Sequence, residues 1–249
     1  MTLPDIIILF GAPASGKGTQ AENLKHYLTE YDYEHFDFGA QLRKFVNTHI
    51  GDYKNLSLET LPTPSAEDDS QIQLALQAAS IMLQGNPIPA ELLWQILGTQ
   101  INAYLDSNKR LIIEGLGRTV EDARRFGKLA FKRELKVAIF HLCITVEESL
   151  KRSQTRFYVN GFIKPFSSYE EALKASSTEH QPWQRFEDKD TTKIQHRYKV
   201  LYADIYAKVL STLQVESLAN LFIIDGRDTI EDDFERIKLY LNKFYQIKL

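Results

Sequence analysis

The fold of this chain is decided near its beginning, where IIILF (residues 6–10) runs directly into GAPASGKGTQ (residues 11–20). The first stretch is continuously apolar, which is typical of a strand buried on both faces in a parallel sheet. The second has the form G-x-x-x-x-G-K, a glycine-rich turn whose backbone N–H groups and lysine bind phosphate oxygens at the start of a helix. The pattern therefore predicts a strand, a phosphate-binding loop and a helix, in that order.

The composition excludes several classes of protein. The chain has 249 residues, of which 43% are hydrophobic and 25% are charged, as in ordinary globular domains. Its net charge is −3, without the basic excess typical of proteins that bind nucleic acid or anionic membranes. The first residues show neither a basic segment nor an apolar run long enough for a signal peptide or a membrane span. We expect a cytoplasmic protein with no nucleic-acid or membrane partner.

Further apolar runs alternate with amphipathic stretches, a pattern that favours an α/β fold with a parallel sheet. Strands are predicted over residues 6–10, 33–37, 111–114, 137–144 and 221–225. Helices are predicted over residues 16–29, 39–50, 69–83, 89–106 and 191–213, and another is expected to open at Thr145. The single cysteine, Cys143, lies in the fourth apolar run, so we expect a buried thiol there.

Two regions interrupt this alternation. Residues 48–70 contain a Pro- and Ser-rich stretch that predicts a loop-rich insertion. Residues 157–184 contain Asn160 and Gly161 between two apolar arms, and Asn-Gly is a strong signal for a tight hairpin turn. We therefore predict a small projecting subdomain after the fourth strand.

The loop sequence G-x-P-x-S-G-K-G-T-Q resembles that of the adenylate kinase family, which belongs to the P-loop nucleoside monophosphate kinases. Other segments follow in the family's order. HFDFGAQLR (35–43) is similar to H-x-S-T-G-D-x-L-R, and residues 81–92 are similar to M-x-x-G-x-x-V-x-x-E-L. EGLGRT (114–119) is similar to D-G-F-P-R-T, RFED (185–188) to R-x-D-D, and residues 225–226 to a closing D-G turn.

The resemblance implies a three-layer P-loop NTPase core with a five-stranded parallel sheet. It divides the single kinase domain into a core (1–37, 107–156 and 185–249), a helical nucleoside monophosphate (NMP) binding insertion (38–106) and a lid (157–184). It also implies ATP and Mg²⁺ as ligands, an NMP as the second substrate, and a monomer.

The family's residue roles can be carried onto this sequence where the motifs match. The cationic catalytic set implied is Lys17, Arg43, Arg118, Arg152, Arg156, Arg185 and Arg197. ATP would be bound by Gly11, Pro13, Ala14, Ser15, Gly16, Lys17, Gly18, Thr19, Arg152, Asp225 and Gly226. The NMP would be bound by Phe38, Gly39, Arg43, Gly85, Ile88, Gly115, Arg118 and Asp122. Glu114 would face magnesium through water. Arginine suits such a site because its planar fork holds phosphate oxygens and stays charged.

Several positions depart from the family pattern. Phe38 replaces a small residue beside the acceptor base, and Ala40 and Glu114 replace aspartates associated with magnesium-bound water. Gly117 replaces a proline, which predicts a looser turn.

Asp122 occupies the position at which the family reads the acceptor base with an amide side chain. Thr119-x-x-Asp122 is also the pattern of a capping box that opens a helix. The carboxylate could therefore cap the helix, read the base, or do both.

The expected activity is phosphoryl transfer from Mg·ATP to an NMP, with AMP as the favoured acceptor. CMP, UMP and GMP remain alternatives. A nucleotide-binding homologue with weakened catalysis, or a P-loop kinase for another small molecule, would share the same loop. No general base is needed, because the acceptor phosphate is already an anion.

Overall fold

The computed structural model describes residues 3–65, 67–107, 109–159, 165–176 and 181–245. At its centre five parallel strands form one sheet: β1 (Ile6–Gly11), β2 (Tyr33–Asp37), β3 (Arg110–Glu114), β4 (Val137–Cys143) and β5 (Asn220–Asp225). Their spatial order is β2-β3-β1-β4-β5, with Ile7 paired to Ile112 on one side and to Ala138 on the other. The predicted α/β class and five-stranded parallel sheet are confirmed.

Alternate side chains of β1 enter two separate cores, as expected for a central strand. Ile6, Ile8 and Phe10 join one buried cluster, whereas Ile7 and Leu9 join the other. Helices cover each face, so the molecule has three layers. The carboxyl ends of β1, β2 and β3 meet at one edge of the sheet, which is where a fold of this kind opens a ligand crevice.

Ten α-helices occur among the described residues. They are α1 (Lys17–Tyr27), α2 (Phe38–Ile50), α3 (Ser70–Leu83), α4 (Ala90–Asp106), α5 (Val120–Lys132), α6 (Val146–Thr155), α7 (Tyr169–Ala175), α8 (Thr191–Tyr198), α9 (Tyr206–Ser217) and α10 (Ile230–Tyr245). α1 and α10 contribute to the core on one face of the sheet, and α3, α4, α5 and α9 to the core on the other. None of the described helices is both long and apolar enough to cross a membrane.

The segment between β2 and β3 is helical, as predicted, and carries α2, α3 and α4. Tyr53, in a short 3-10 turn between α2 and α3, is buried in the larger core, and Leu56 and Leu61 pack against it. Residues 48–70 are thus anchored by apolar contacts at several points.

After α6 the chain forms two isolated antiparallel bridges, Phe157 with Phe166 and Tyr158 with Trp183. The predicted Asn160–Gly161 turn lies outside the described residues. The boundaries assigned to core, insertion and lid stay predictions.

Three local expectations were wrong. The helix predicted over residues 191–213 is two helices, α8 and α9, separated by a π-helical turn over Lys199–Ala203. Its apolar spacing persists through the break, and so the periodicity could not reveal it. Cys143 is only half-buried, because it is the last residue of β4, at the carboxyl end of the strand.

Gly117 does not form a looser version of a proline turn. Its φ of 73° lies in the left-handed region, which proline cannot adopt. A Cβ at this position would also lie 2.7 Å from Val209 Cγ1. The backbone path here therefore requires glycine.

Candidate active site

The phosphate loop leaves β1 at Gly11 and enters α1 at Lys17. A Cβ on Gly11 would lie 2.5 Å from the carbonyl oxygen of Leu142, so the loop can follow this path only with glycine there. Ser149, on α6, donates a 2.8 Å hydrogen bond to the carbonyl oxygen of Pro13 and fixes the middle of the loop. The N-terminus of α1 has no side-chain cap and follows this loop directly, the arrangement in which helix N–H groups bind phosphate.

Lys17 turns back over this loop. Its Nζ donates to the carbonyl oxygens of Ala12 at 2.6 Å and Gly11 at 3.1 Å, and to Ser15 Oγ at 3.3 Å. Burial, together with the positive charge of Arg118, lowers the pKa of Lys17 from 10.5 to about 7. A buried cation destabilised in this way would be stabilised by a bound anion.

Several residues that the resemblance implies for acceptor binding lie at the ends of β2 and β3. Asp37 caps α2 by accepting from the Gly39 N–H at 2.8 Å, and its other oxygen lies 3.7 Å from Arg43 Nη2. Phe38 is 1% exposed and packs edge-on against Phe36 at 5.0 Å between ring centroids. Its ring therefore belongs mainly to the core, although the residue also lines the cavity described below.

Arg118 follows β3 and is held by a 3.2 Å hydrogen bond from its Nη1 to the carbonyl oxygen of Leu201. Burial lowers the pKa of its guanidinium from 12.5 to about 10, and the nearby Arg197 adds to this effect. Arg197 also reaches the acceptor side, because a Cβ on Gly85 would lie 2.9 Å from its Cγ. Two arginines therefore converge here from different parts of the sequence.

A second arginine group surrounds Asp188, whose side chain is fully buried. Arg156 binds both of its oxygens at 2.7 Å, and Arg197 Nη1 lies 3.4 Å from Oδ1. Burial raises the pKa of this carboxyl, but the charge and hydrogen bonds of Arg156 outweigh that effect and hold the pKa below its usual value. The guanidinium carbon of Arg185 lies 4.8 Å from the ring centroid of Tyr158. Its positive charge also helps to lower the pKa of Asp188.

Glu114 ends β3 beside α1. Its Oε1 lies 3.0 Å from His35 Nε2, and the other ring nitrogen of His35 lies 3.0 Å from Glu22 Oε1. Burial opposes a charge on His35, but the two carboxylates outweigh it and raise the pKa of the imidazole. A Cβ on Gly18 would lie 3.3 Å from Glu114 Oε1, which places the carboxylate directly against the phosphate loop helix.

Asp122 forms the capping box that the sequence allowed. Thr119 Oγ1 accepts from the Asp122 N–H at 3.1 Å, and Asp122 Oδ2 accepts from the Thr119 N–H at 3.2 Å. The other oxygen, Oδ1, is buried without a hydrogen-bond partner among the described residues. Burial raises the pKa of this carboxyl from 3.8 to about 6. Capping thus uses one oxygen and leaves the second one unsatisfied.

These groups border one cavity of about 590 Å³ at the carboxyl ends of the strands. All six arginines of the expected catalytic set line it, and so do Lys17, Glu114 and every expected NMP-binding residue. The residues of the phosphate loop from Pro13 to Thr19 form another part of its wall. Residues that are up to about 180 positions apart in the sequence therefore line a single cavity.

Three expected features differ in the structure. Gly11 is buried at the end of β1 and does not line the cavity. Asp225 and Gly226 do not line it either, because the Asp225 carboxylate faces outward onto Arg227. The wall there is formed by residues 228–230 and Asp233. Arg156 does not share a helical face with Arg152, since α6 ends at Thr155 and Arg156 is extended, with ψ of 136°. Arg152 instead pairs with Glu148 within α6.

Sequence reasoning assigned no role to several residues that shape the site. Asp37 and Asp188 hold arginines, whereas Gln20 and Asp233 line the cavity. The R-x-D-D segment contained the signal for Asp188. Gln20 is the last residue of the loop motif, but the motif assigned it no role, and nothing in the sequence marked Asp233. The significance of both residues depends on the contact between α1 and α10.

Comparison with curated proteins supports the family resemblance. The chain is 30% identical over 133 residues to the adenylate kinase of Bacteroides thetaiotaomicron, which covers 53% of this chain and 57% of that protein. It is 28% identical over 156 residues to the adenylate kinase of Parabacteroides distasonis, covering 62% and 68% respectively. The adenylate kinase of Nitrobacter hamburgensis is 26% identical over 151 residues, with 60% of each chain covered.

The chain thus spans about three-fifths of the length of the curated relatives that it matches. No protein-family model matches it. The similarity to the adenylate kinase family that the motifs indicated is confirmed by these relatives.

Proposed function

We propose that this protein transfers a phosphoryl group from Mg·ATP to a nucleoside monophosphate, with AMP as the first candidate acceptor. The observation that carries the proposal is the meeting of Lys17 and six arginines around one cavity that begins at the phosphate loop. Burial lowers the pKa of Lys17 and of Arg118, and repulsion by a neighbouring arginine, Arg118 for Lys17 and Arg197 for Arg118, adds to this effect. Such a cation cluster is stabilised when several phosphates bind, and two nucleotides supply them.

Donor and acceptor would occupy opposite ends of the cavity. Lys17 and the phosphate loop would hold the β and γ phosphates of ATP, and Arg43 and Arg118 the phosphate of the acceptor. The acceptor oxygen attacks the γ phosphorus in line, the bond to the β,γ-bridging oxygen breaks, and ADP leaves. Arg152, Arg156, Arg185 and Arg197 would neutralise the charge on the moving group.

Asp188 would act by positioning rather than by touching substrate. Its carboxylate fixes Arg156 through two hydrogen bonds and holds Arg197 nearby. The guanidinium groups are thereby ordered before the nucleotides arrive, which reduces the reorganisation needed during the reaction.

Magnesium would enter as part of the ATP substrate. Among the described residues there is no group of three or more His, Cys, Asp or Glu side chains that could hold a metal unaided. This fits an ion bound mainly by phosphate oxygens and water. Glu114, which lies beside α1 and contacts His35, would hold a metal-bound water. The ion would supply charge neutralisation at the phosphates.

Asp122 would help to select the acceptor nucleotide, in addition to capping α5. Its unsatisfied Oδ1 would accept a hydrogen bond from an amino group on the base, as adenine, cytosine and guanine each carry. Substitution to Asn keeps the shape and adds a donor, so the ranking of acceptors would change while the helix cap is kept.

The test measures the formation of nucleoside diphosphates from Mg·ATP with AMP, GMP, CMP, UMP and dTMP in turn. Arg118→Ala is expected to lower kcat/KM by about 100-fold or more, because it removes a charged contact to phosphate. Arg133→Ala is the matched control, since Arg133 forms a surface pair with Asp106 away from the cavity. ATP binding without transfer to any of the five acceptors would refute the proposal and favour a binding protein or a kinase for another small molecule.

A further inference from the structure

Several buried side-chain oxygens of residues that line the cavity lack a hydrogen-bond partner among the described residues. Among the described residues, three carboxyl or amide oxygens are buried without a hydrogen-bond partner: Gln20 Oε1, Asp122 Oδ1 and Asp233 Oδ1. All three residues line the cavity. Burying an acceptor without a partner opposes folding, so each such oxygen indicates a partner supplied from elsewhere.

Gln20 and Asp233 lie at the donor end. Gln20 is one helical turn beyond Lys17 on α1, and its Nε2 donates to the carbonyl oxygen of Ile230 at 2.9 Å. Asp233 lies three residues beyond Ile230 on the same helix, α10. Both residues therefore lie where α1 and α10 are in contact, next to the phosphate loop.

One oxygen of the Asp233 carboxylate, Oδ1, is buried without a hydrogen-bond partner among the described residues. The residue is 4% exposed, and Arg236 Nη1 lies 4.0 Å from its Oδ1. That guanidinium is in closer contact with Asp228. Burial raises the pKa of Asp233 to about 6, against the positive fields of Arg236 and, across the cavity wall, of Arg152 on α6.

We propose that Asp233, together with Gln20, accepts hydrogen bonds from the nucleoside part of the donor triphosphate and thereby selects the triphosphate used. This inference rests on the proposed function, because it takes the phosphate loop to hold the triphosphate. From there the nucleoside would extend between Arg152 and the first turns of α10. The donor groups available on ATP are the exocyclic amino group of the base and the ribose hydroxyls.

Equilibrium binding measured by calorimetry at pH 8 tests the proposal without requiring turnover. Four ligands are compared on the wild-type chain: ATP, purine riboside triphosphate, which lacks the amino group, 2′-deoxy-ATP and 3′-deoxy-ATP. The proposal predicts that one of the three analogues binds about 10- to 100-fold more weakly than ATP, as expected for a lost hydrogen bond to a charged acceptor. The analogue that does so identifies the base or the ribose as the recognised part.

The variants then assign that loss to Asp233. In Asp233→Val, which removes both acceptor oxygens, the preference for ATP over the weak analogue should fall to within about threefold, whereas Asp233→Asn keeps one uncharged acceptor and should show a smaller fall. Gln20→Met gives an independent test if neither Asp233 variant folds, and should reduce the same preference. The matched control is Glu231→Gln, which removes an exposed charge from the same helix and should leave the preference unchanged.

Two outcomes overturn the inference. One is equal binding of all four ligands by the wild-type chain, and the other is a preference that survives in both Asp233→Val and Gln20→Met. A preference that depends on Asp233, in a chain that transfers no phosphoryl group, would instead support the inference and refute the proposed kinase function.

Discussion

Replacing Asp188 by Asn should destabilise the protein more than any substitution at a surface ion pair. Asp188 is fully buried, and Arg156, which binds both of its oxygens at 2.7 Å, has only 13% of its side chain exposed. Removing one partner of a buried pair leaves the other charge buried and uncompensated, which costs about 3–5 kcal/mol. Arg197, at 3.4 Å, would lose the same carboxylate and adds to the effect.

The chain contains a matched surface pair for comparison. Arg125 Nη2 lies 2.7 Å from Glu91 Oε2, the same separation, but the two side chains are 37% and 68% exposed. A pair of this kind contributes about 0–1 kcal/mol, because water screens the charges and both long side chains lose freedom. Burial, rather than distance, should therefore decide the difference.

The assay is urea unfolding followed by far-UV circular dichroism, with a double-mutant cycle for each pair. One cycle combines Asp188→Asn with Arg156→Gln, and the other combines Glu91→Gln with Arg125→Gln. We expect a coupling energy of about 2 kcal/mol or more for the buried pair and below about 1 kcal/mol for the surface pair. Equal coupling energies, or a destabilisation below about 1 kcal/mol for Asp188→Asn, would refute the reasoning.

Three further predictions use the same unfolding assay. Thr119→Ala removes the capping hydroxyl that bonds to the Asp122 N–H and should cost about 1 kcal/mol. Gly117→Pro should cost more than about 1 kcal/mol, because the φ of 73° is closed to proline. Burial lowers the pKa of His141 from 6.5 to about 4, so the unfolded chain binds more protons and stability falls as the pH drops below about 6.5. Between pH 7 and pH 5 the wild type should lose about 2 kcal/mol more than His141→Phe.

The sheet could be predicted from the sequence because its strands are short, continuous apolar runs. Each predicted strand agrees with the structure to within one residue at either end. The phosphate loop was equally clear, since its glycines, lysine and flanking elements all lie within 15 residues. In both cases the residues that determine the local structure are neighbours in the sequence, so the sequence alone predicts it.

The remaining features depend on contacts that no local pattern records. Arg156 stands just beyond the end of α6 and binds Asp188, which lies 32 residues away in the sequence. The significance of Asp233 comes from its burial against α1, whereas in the sequence it is one of three acidic residues opening an amphipathic helix. Tertiary environment, rather than residue type, makes these side chains part of the site.

The fate of the γ-phosphoryl group tests the central claim most directly. The protein is incubated with ATP labelled in the γ phosphate, Mg²⁺ and AMP, and the products are separated. The account predicts that the label appears in ADP and not as inorganic phosphate. It also predicts that transfer is lost in Arg118→Ala but not in Arg133→Ala. Release of the label as inorganic phosphate would contradict it. So would label that stays in ATP when AMP and each of the other four monophosphates are tried in turn.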